Sequence, residues 1–344
     1  MNLSSRLGIE LPLIQAPMAG VQGSLLAIAV SNAGGLGSLP AAMLSLDDLR
    51  TELARIKAGT DRPYNVNFFC HEAPAPDARR AALWQQALAP HYQELAVDPS
   101  AVGTGPGRAP FSAEAADVLE EFKPPVLSFH FGLPSAGLLA RVKSWGATVL
   151  SSATTVEEAL WLEGHGADVV IAQGLEAGGH RGHFLSHDLT LQMGTFALLP
   201  QMVRAVKVPV VAAGGIADAQ GVAAAMALGA AGVQVGTAYL LAHEATTSQV
   251  HRSALQSEAA RHTALTNVFT GRPARGIVNR LMVALGPLSS EAPEFPLATA
   301  AIAPLRAKAE SLGSGDFSPL WSGQNASACR EASAADITRA LLAG

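Results

Sequence analysis

The chain has 344 residues, of which 49% are hydrophobic and 15% are charged. This balance excludes a disordered chain and predicts a globular protein with a large core. The net charge is −5, and the 23 Lys and Arg residues are scattered along the chain, so we expect no nucleic-acid partner. The only cysteines, Cys70 and Cys329, exclude a disulfide framework and a zinc ribbon.

The first 20 residues lack a cationic segment followed by an apolar one, so we expect no signal peptide. Together with the low cysteine content, this favours a cytoplasmic protein. Residues 11–46 and 219–242 carry no charge and are long enough to span a bilayer. Pro12, Pro17 and Pro40 interrupt the first stretch, so we interpret its short apolar blocks as buried strands and expect no contact with a membrane.

Short apolar runs alternate with longer helical patterns along the chain. Helices are predicted at residues 24–33, 46–57, 135–145, 156–165 and 219–228. Eight buried strands are predicted at residues 13–18, 36–40, 65–69, 126–131, 148–152, 168–173, 208–213 and 232–237. This alternation predicts an α/β protein with a closed (β/α)8 barrel, the TIM barrel. The alternative is an open doubly wound sheet, although no G-x-G-x-x-G follows an early strand.

Two segments interrupt the alternation and are rich in proline or glycine. Such segments commonly form lids on the substrate side of a barrel. We therefore predict a barrel made of residues 1–70, 112–250 and 322–344. Residues 71–111 and 251–321 are predicted to be insertions that form a smaller substrate-side cap.

Glycines follow the last two predicted strands, where barrels commonly bind phosphate. Gly214 and Gly215 follow the seventh strand, and Gly236 and Thr237 follow the eighth. Glycine lets backbone N–H groups approach a phosphate closely, and a following helix N-terminus adds a favourable dipole. We predict a mononucleotide or sugar-phosphate site here. The alternative is that these glycines only make tight turns.

Amide side chains at other strand ends suit a flat polar ring. Asn67 and Gln173 each offer hydrogen-bond donors and acceptors. Met18, near the end of the first strand, could pack on the face of such a ring or belong to the core.

His180 is the first candidate for catalysis, because the preceding Gly178-Gly179 allows a turn that brings its imidazole over the barrel mouth. The alternative is a histidine on a surface loop. His130 is a second candidate, and it could equally be a core histidine. His183 and His187 follow His180 closely, but the glycine-rich sequence predicts a loop, and we assign no metal site.

Residues 270–276 cluster Arg272 and Arg275 with glycines. Arginine suits bidentate recognition of a phosphate or carboxylate. The alternative, which we favour, is a clamp between the tail and the barrel.

Five motifs together resemble the nitronate monooxygenases, formerly called 2-nitropropane dioxygenases. The resemblance runs from residue 12 to about residue 324. The loops around His180 and Gly215 also occur in the flavin-dependent enoyl-ACP reductase II. The motifs are PLIQAPMAG at 12–20, NVNFF at 65–69, SFHFGLP at 128–134, QGLEAGGHRG at 173–182 and AAGGIAD at 212–218.

The resemblance implies an FMN-dependent enzyme on a barrel with a smaller substrate domain. The implied reaction is oxidation of an alkyl nitronate, such as propionate 3-nitronate, by O2 to a carbonyl compound and nitrite. His180 would face the reactive edge of the flavin. The residues expected to contact FMN are Ala16, Pro17, Met18, Asn67, Gln173, Gly178, Gly179, Ala213, Gly214, Gly215, Gln234, Val235, Gly236 and Thr237.

The chain has only three tyrosines, Tyr64, Tyr92 and Tyr239, and we expect none of them to face the substrate. If relatives hold the nitro group with a phenol, this chain needs another donor. Lys308 and Arg272 are candidates for that role.

Two other functions remain open. The first is an NAD(P)H-dependent reductase on the same FMN barrel, acting on a quinone or an enoyl thioester, although we identify no nicotinamide pocket. The second is a non-catalytic flavin-binding barrel. A sugar-phosphate isomerase ranks last, because it needs carboxylates at strand ends and the motifs hold only Glu176 and Asp218, of which Asp218 is expected to cap a helix.

Overall fold

A computed structural model describes residues 3–103 and 108–343. The strands are β1 (Leu13–Gln15), β2 (Gly37–Pro40), β3 (Tyr64–Phe69), β4 (Val126–His130), β5 (Thr148–Ala153), β6 (Val169–Gln173), β7 (Gly179–His180), β8 (Val210–Ala213), β9 (Gly232–Val235), β10 (Thr263–Thr266) and β11 (Ala274–Ile277). The helices are α1 (Leu3–Leu7), α2 (Ser24–Asn32), α3 (Leu46–Gly59), α4 (Ala78–Glu94), α5 (Ala113–Phe122), α6 (Ala136–Ser144), α7 (Val156–Gly164), α8 (Thr195–Ala205), α9 (Ala219–Ala227), α10 (Gln249–Leu255), α11 (Arg280–Leu285), α12 (Ala298–Ser311) and α13 (Ala334–Ala340).

Eight parallel strands form the barrel, in the order β1-β9-β8-β6-β5-β4-β3-β2. The backbone N–H of Leu36 donates to the Leu13 carbonyl, and that of Gln15 donates to the Leu36 carbonyl, both at 2.9 Å. These bonds join the first strand to the second and close the sheet. The predicted (β/α)8 barrel is therefore confirmed, and each of the eight predicted strands is present with slightly different bounds.

Side chains alternate between the inside of the barrel and the surrounding helices, as the two-residue period of a strand requires. Val126, Val169 and Val211 point inward and pack together. Helix α1 covers the amino-terminal end of this inner core with Leu3 and Leu7. The barrel is thus plugged at that end, and the opposite end is the one at which barrel active sites lie.

The last helix completes the ring of helices around the barrel. Ile337 and Leu341 pack in the same cluster as Leu26 of α2. The Tyr239 hydroxyl, just after β9, is 2.8 Å from the Thr338 hydroxyl. Helix α13, near the end of the chain, therefore packs on the barrel again and covers the junction between β1 and β9.

Residues 251–321, which precede this last helix, pack against residues 71–111, which follow β3. Helix α4 contacts α12, and Trp84, Phe269 and Leu305 share one buried core. The Tyr92 hydroxyl donates to the Ala301 carbonyl at 2.5 Å. A small antiparallel sheet, in the order β10-β11-β7, joins residues 251–321 to the loop after β6.

Across residues 3–103 and 108–343, we find no helix that combines the length and the apolar character needed to cross a bilayer.

We predict that Gly37→Ala destabilises the barrel by about 1–3 kcal/mol, because overpacking forces backbone shifts. A Cβ on Gly37 would lie 1.9 Å from the Ala27 carbonyl oxygen of α2. Gly137→Ala is the matched control, since a Cβ there meets nothing within 4 Å. Thermal unfolding should show a lower midpoint for Gly37→Ala only; equal midpoints for both variants would contradict the close approach of α2 to β2.

Candidate active site

A cavity with an empty volume of about 1340 Å³, counting its open mouth, lies at the carboxyl ends of the barrel strands. Among the described residues, no Asp or Glu lines it, and Arg108 is the one Arg or Lys that does. The predicted site residues that line this cavity are Ala16, Pro17, Met18, Asn67, His130, Gln173, Gly178, Gly179, His180, Ala213, Gly214, Gly215, Gln234, Gly236 and Thr237.

Val235 is the predicted site residue that the structure places elsewhere. It is 1% exposed and packs outward with Val233 against the surrounding helices. Gln234 and Gly236, its neighbours, line the cavity. The side chain of Val235 therefore lies outside the cavity, because adjacent residues of a strand point to opposite faces, and its predicted contact with the cofactor would have to come from the backbone.

A buried amide pair shapes the loop after β1. Gln15 Nε2 donates to Gln22 Oε1 at 2.7 Å, and Gln22 Oε1 also accepts from the Met18 N–H at 3.0 Å. The Ser38 N–H donates to Gln15 Oε1 at 3.0 Å, which ties the loop to β2. These bonds fix the backbone that brings Ala16 to the cavity wall.

Asn67 and Gln234 place side-chain amides on the cavity wall. Asn67 Nδ2 donates to the Ser128 hydroxyl at 2.9 Å. Oε1 of Gln234 is buried and has no hydrogen-bond partner among the described residues. A buried acceptor without a donor is costly, so this atom suits a ligand that carries an N–H or O–H group.

Gln173 holds the loop that carries His180. Its Nε2 donates to the His180 carbonyl at 2.9 Å, and its Oε1 accepts from the Gly182 N–H at 2.8 Å. Arg181, which is 0% exposed, donates to the Gln173 and Gly174 carbonyls at 2.7 and 2.6 Å. The loop is therefore fixed by buried bonds even though it contains three glycines, at positions 174, 178 and 179.

His130 lies inside the barrel mouth, and its Nε2 is 3.1 Å from the His180 carbonyl oxygen. A carbonyl can only accept, so Nε2 carries the proton. Burial lowers the pKa of His130 to about 4, and the ring is neutral at pH 7. The sequence left two alternatives for His130, a core histidine and a catalytic one. The structure does not decide between them, because the residue both supports the loop and lines the cavity.

The imidazole of His180 is surrounded by aromatic rings. Its centroid lies 5.2 Å from that of Phe295 and 5.6 Å from that of Trp321. Nε2 is 2.9 Å from the Thr270 hydroxyl. Burial, and then the charge of Arg108, hold the pKa of His180 well below its usual range. His180 is thus a neutral imidazole with Nδ1 unbonded among the described residues.

Residues 270–276 form the clamp that the sequence favoured. Strand β11 pairs with β7, with Ala274 opposite His180 and Arg275 opposite Gly179. Arg275 Nε donates to the Leu175 carbonyl at 2.8 Å. Arg272 donates to the His183 carbonyl and lies 4.0 Å from the centre of the Phe131 ring. Both arginines are thus engaged in holding the loop after β6.

His183 and His187 lie together with ring centroids 5.4 Å apart. Among the described residues, no group of three or more His, Cys, Asp or Glu side chains could hold a metal ion.

The donors suggested in place of a phenol lie away from the cavity wall. Lys308 is exposed on α12, and Arg272 is turned toward Phe131. The structure instead brings Arg108 to the wall, which the sequence analysis missed. No motif surrounds this residue, so nothing in the sequence marked it. The wall residues missed with it include Ser152, His251, Trp321 and Asn325.

The fold and the cavity together define an enzyme-like (β/α)8 barrel, with a neutral histidine and glycine turns at the strand ends where barrel active sites lie. The family model "Nitronate monooxygenase" matches residues 2–344. The chain therefore belongs to the nitronate monooxygenase family, a family of oxidoreductases that act on nitronates or nitroalkanes.

Similar proteins carry related names. The chain is 42% identical to a nitronate monooxygenase of Paraburkholderia phytofirmans over 97% of this chain and 92% of the relative. It is 40% identical to a nitronate monooxygenase of Pseudomonas aeruginosa over 98% and 96%. The solved structure of a nitroalkane oxidase from Streptomyces ansochromogenes matches with a TM-score of 0.89 and 38% identity, covering 99% of this chain and 96% of that one.

We predict that stability falls as the pH decreases from about 6.5 to 4, because buried histidines take up protons only after unfolding. Burial lowers the pKa of His183 to about 3 and that of His130 to about 4. Each such histidine contributes a slope of up to about 1.4 kcal/mol per pH unit between its folded and unfolded pKa values.

His183→Leu removes one of these groups without touching the cavity wall. Urea unfolding at pH 4.5, 5.5 and 6.5 should therefore give a shallower pH dependence for this variant than for the wild type. Identical slopes would show that His183 is not held neutral by burial.

Proposed function

We propose that this protein uses FMN to oxidise alkyl nitronates with O2, giving a carbonyl compound and nitrite. The observation that carries the proposal is the composition of one cavity, which combines glycine turns after β8 and β9, a neutral His180 and walls to which no described residue contributes a carboxylate. Such walls suit an anionic cofactor and an anionic substrate. Membership of the nitronate monooxygenase family supports the reaction class.

FMN fits the residues that are present. Gly214 and Gly215 have φ values of +122° and +73°, which side chains rarely adopt, and they leave the backbone open for a phosphate. The unpartnered Oε1 of Gln234 would accept a hydrogen bond from a donor on the ring. Gly236 and Thr237 would complete the phosphate site. When bound, the flavin supplies the electron acceptor for the nitronate and the means of reducing O2.

His180 is the residue we propose to act on the substrate. Nδ1 has no partner among the described residues, whereas Nε2 faces the Thr270 hydroxyl. Because Thr270 also donates to the Arg272 carbonyl at 3.3 Å, its oxygen accepts from Nε2–H of His180. That arrangement leaves a lone pair on Nδ1. It can accept the proton of a neutral nitroalkane, while a nitronate needs only orientation.

We further propose that residues 71–111 and 251–321 act as a substrate-side cap. Their shared core around Trp84 and Phe269 supports this division, and Trp321, the last residue of the second segment, lines the cavity. The cap would exclude water from the reacting groups.

The experiment is anaerobic mixing of the purified flavin-loaded protein with propionate 3-nitronate and, separately, with NADH and NADPH. We expect the nitronate to change the visible absorbance of the flavin within one turnover, and neither nicotinamide to do so. Admission of O2 should then yield one nitrite per nitronate consumed. Bleaching by a nicotinamide without a response to nitronate would move the protein to the reductases, and protein that takes up no FMN would overturn the cofactor assignment.

We predict that His180→Asn lowers kcat/KM for neutral nitroethane by about 100-fold or more, since general base catalysis contributes that much. The loss with ethyl nitronate should be smaller, because that substrate has already lost its proton. Steady-state rates at pH 7.5 measure both values. Thr270→Ser, which keeps the hydroxyl beside Nε2, is the control, and full activity of His180→Asn on both substrates would remove His180 from the mechanism.

A further inference from the structure

Arg108 lies on the cavity wall with His180 and is held along one edge only. Nη1 donates to the Thr299 hydroxyl at 2.9 Å, and that hydroxyl donates to the Phe269 carbonyl at 3.2 Å. The guanidinium carbon is 5.9 Å from the centre of the Phe295 ring. These contacts fix the position of the side chain without neutralising its charge.

Among the residues that the structure describes, the remaining donors of Arg108 have no hydrogen-bond partner. A guanidinium has five N–H donors, and one hydrogen bond is made among the described residues. No carboxylate of residues 3–103 or 108–343 forms an ion pair with Arg108, and none lines the cavity. Burial lowers the pKa of Arg108 to about 10, so the side chain is charged at neutral pH. A half-buried charge without a partner is costly, so an anion is the expected occupant.

The other arginines near the loop after β6 are engaged differently. Arg181 donates to two backbone carbonyls and to Gln192 Oε1. Arg275 donates to the Leu175 carbonyl and the Thr263 hydroxyl. Neither side chain lines the cavity, and neither does that of Arg272, which donates to the His183 carbonyl and lies over the Phe131 ring. Arg108 is thus the arginine near this loop whose free donors meet the space where a ligand would bind.

We propose that Arg108 determines substrate specificity by binding a planar two-oxygen anion of the substrate, either the nitronate group or a carboxylate. The guanidinium fork matches the two oxygens of such a group and binds them with parallel hydrogen bonds. The inference rests on the proposed function. It explains how this cavity holds an anion without a phenol, since Tyr92 and Tyr239 donate or accept elsewhere.

A cofactor phosphate is the other possible source of this anion, and the position of Arg108 argues against it. Arg108 follows β3, and the nearby Phe111 N–H donates to the Phe69 carbonyl at the end of that strand. The glycine turns follow β8 and β9, which lie across the barrel from β3 in the strand order. Arg108 also has the largest charge effect on the pKa of His180, the proposed substrate-facing group.

The test compares Arg108→Met and Arg108→Lys with Arg79→Met, an exposed arginine of α4 in the same segment. KM and kcat are measured with ethyl nitronate, propionate 3-nitronate and neutral nitroethane, and bound FMN is measured for each variant. We expect Arg108→Met to raise KM for the anions by at least about 30-fold, the cost of truncating one member of a buried charge pair. In Arg108→Met, KM for nitroethane should change much less. In Arg108→Lys, KM for the anions should lie between the values of the wild type and Arg108→Met, and Arg79→Met should have the KM values of the wild type.

The pattern across substrates identifies the bound group. A loss with both anions assigns Arg108 to the nitronate, and a loss with propionate 3-nitronate alone assigns it to the carboxylate. Equal losses with nitroethane, or loss of FMN from Arg108→Met and Arg108→Lys, would overturn the proposal. Arg108→Gln, which keeps a donor toward Thr299, replaces Arg108→Met if that variant does not fold.

A calorimetric titration with sodium propionate separates this inference from the proposed reaction. Wild-type protein should bind propionate, and Arg108→Met should bind it at least about tenfold more weakly, because the charged partner is lost. This result is expected even if the protein oxidises no nitronate. Equal binding by both proteins would overturn the anion site regardless of the reaction catalysed.

Discussion

The backbone pairing of β7 with β11 is the interaction on which the site depends. It joins Gly179 and His180, which follow the sixth barrel strand, to Ala274 and Arg275, more than 90 residues later in the chain. Without this pairing, a loop with three glycines would have many conformations to lose on binding. With it, the His180 carbonyl is bonded to Gln173, its ring is bonded to Thr270, and the segment 251–321 is attached to the barrel at His180, the residue proposed to act on the substrate.

The electrostatics of the cavity follow from the same arrangement. The loop after β6 contributes a carboxylate, Glu176, but it bonds the N–H and hydroxyl of Thr195 and lies away from the cavity. Burial and neighbouring arginines keep the histidines neutral, so the fixed charge on the wall is that of Arg108. The neutral imidazole of His180 lies on the same cavity wall as the charged guanidinium of Arg108. This arrangement suits the removal of a proton from a substrate and the stabilisation of the anion that results.

Most of the fold could be predicted from the sequence because buried parallel strands are apolar on both faces and are separated by helices of regular length. The glycine turns after β8 and β9 and the position of His180 followed from the rule that barrel active sites lie at the carboxyl ends of strands. Val235 was assigned to the site with its neighbours, and the alternation along β9 turns its side chain away from the cavity.

The sequence by itself determined the barrel, the strand ends that meet at its mouth and the family to which the motifs belong, because these depend on local periodicity and short motifs. Only the tertiary structure decided which cations face the cavity. Arg272 and Lys308 both lie in the segment 251–321, yet the fold turns the first toward Phe131 and the second toward solvent. Arg108 reaches the wall because Thr299 and Phe295, almost 200 residues away, hold it there. Contacts between such distant segments depend on the packing of residues 71–111 against residues 251–321 and leave no periodic signal in the sequence.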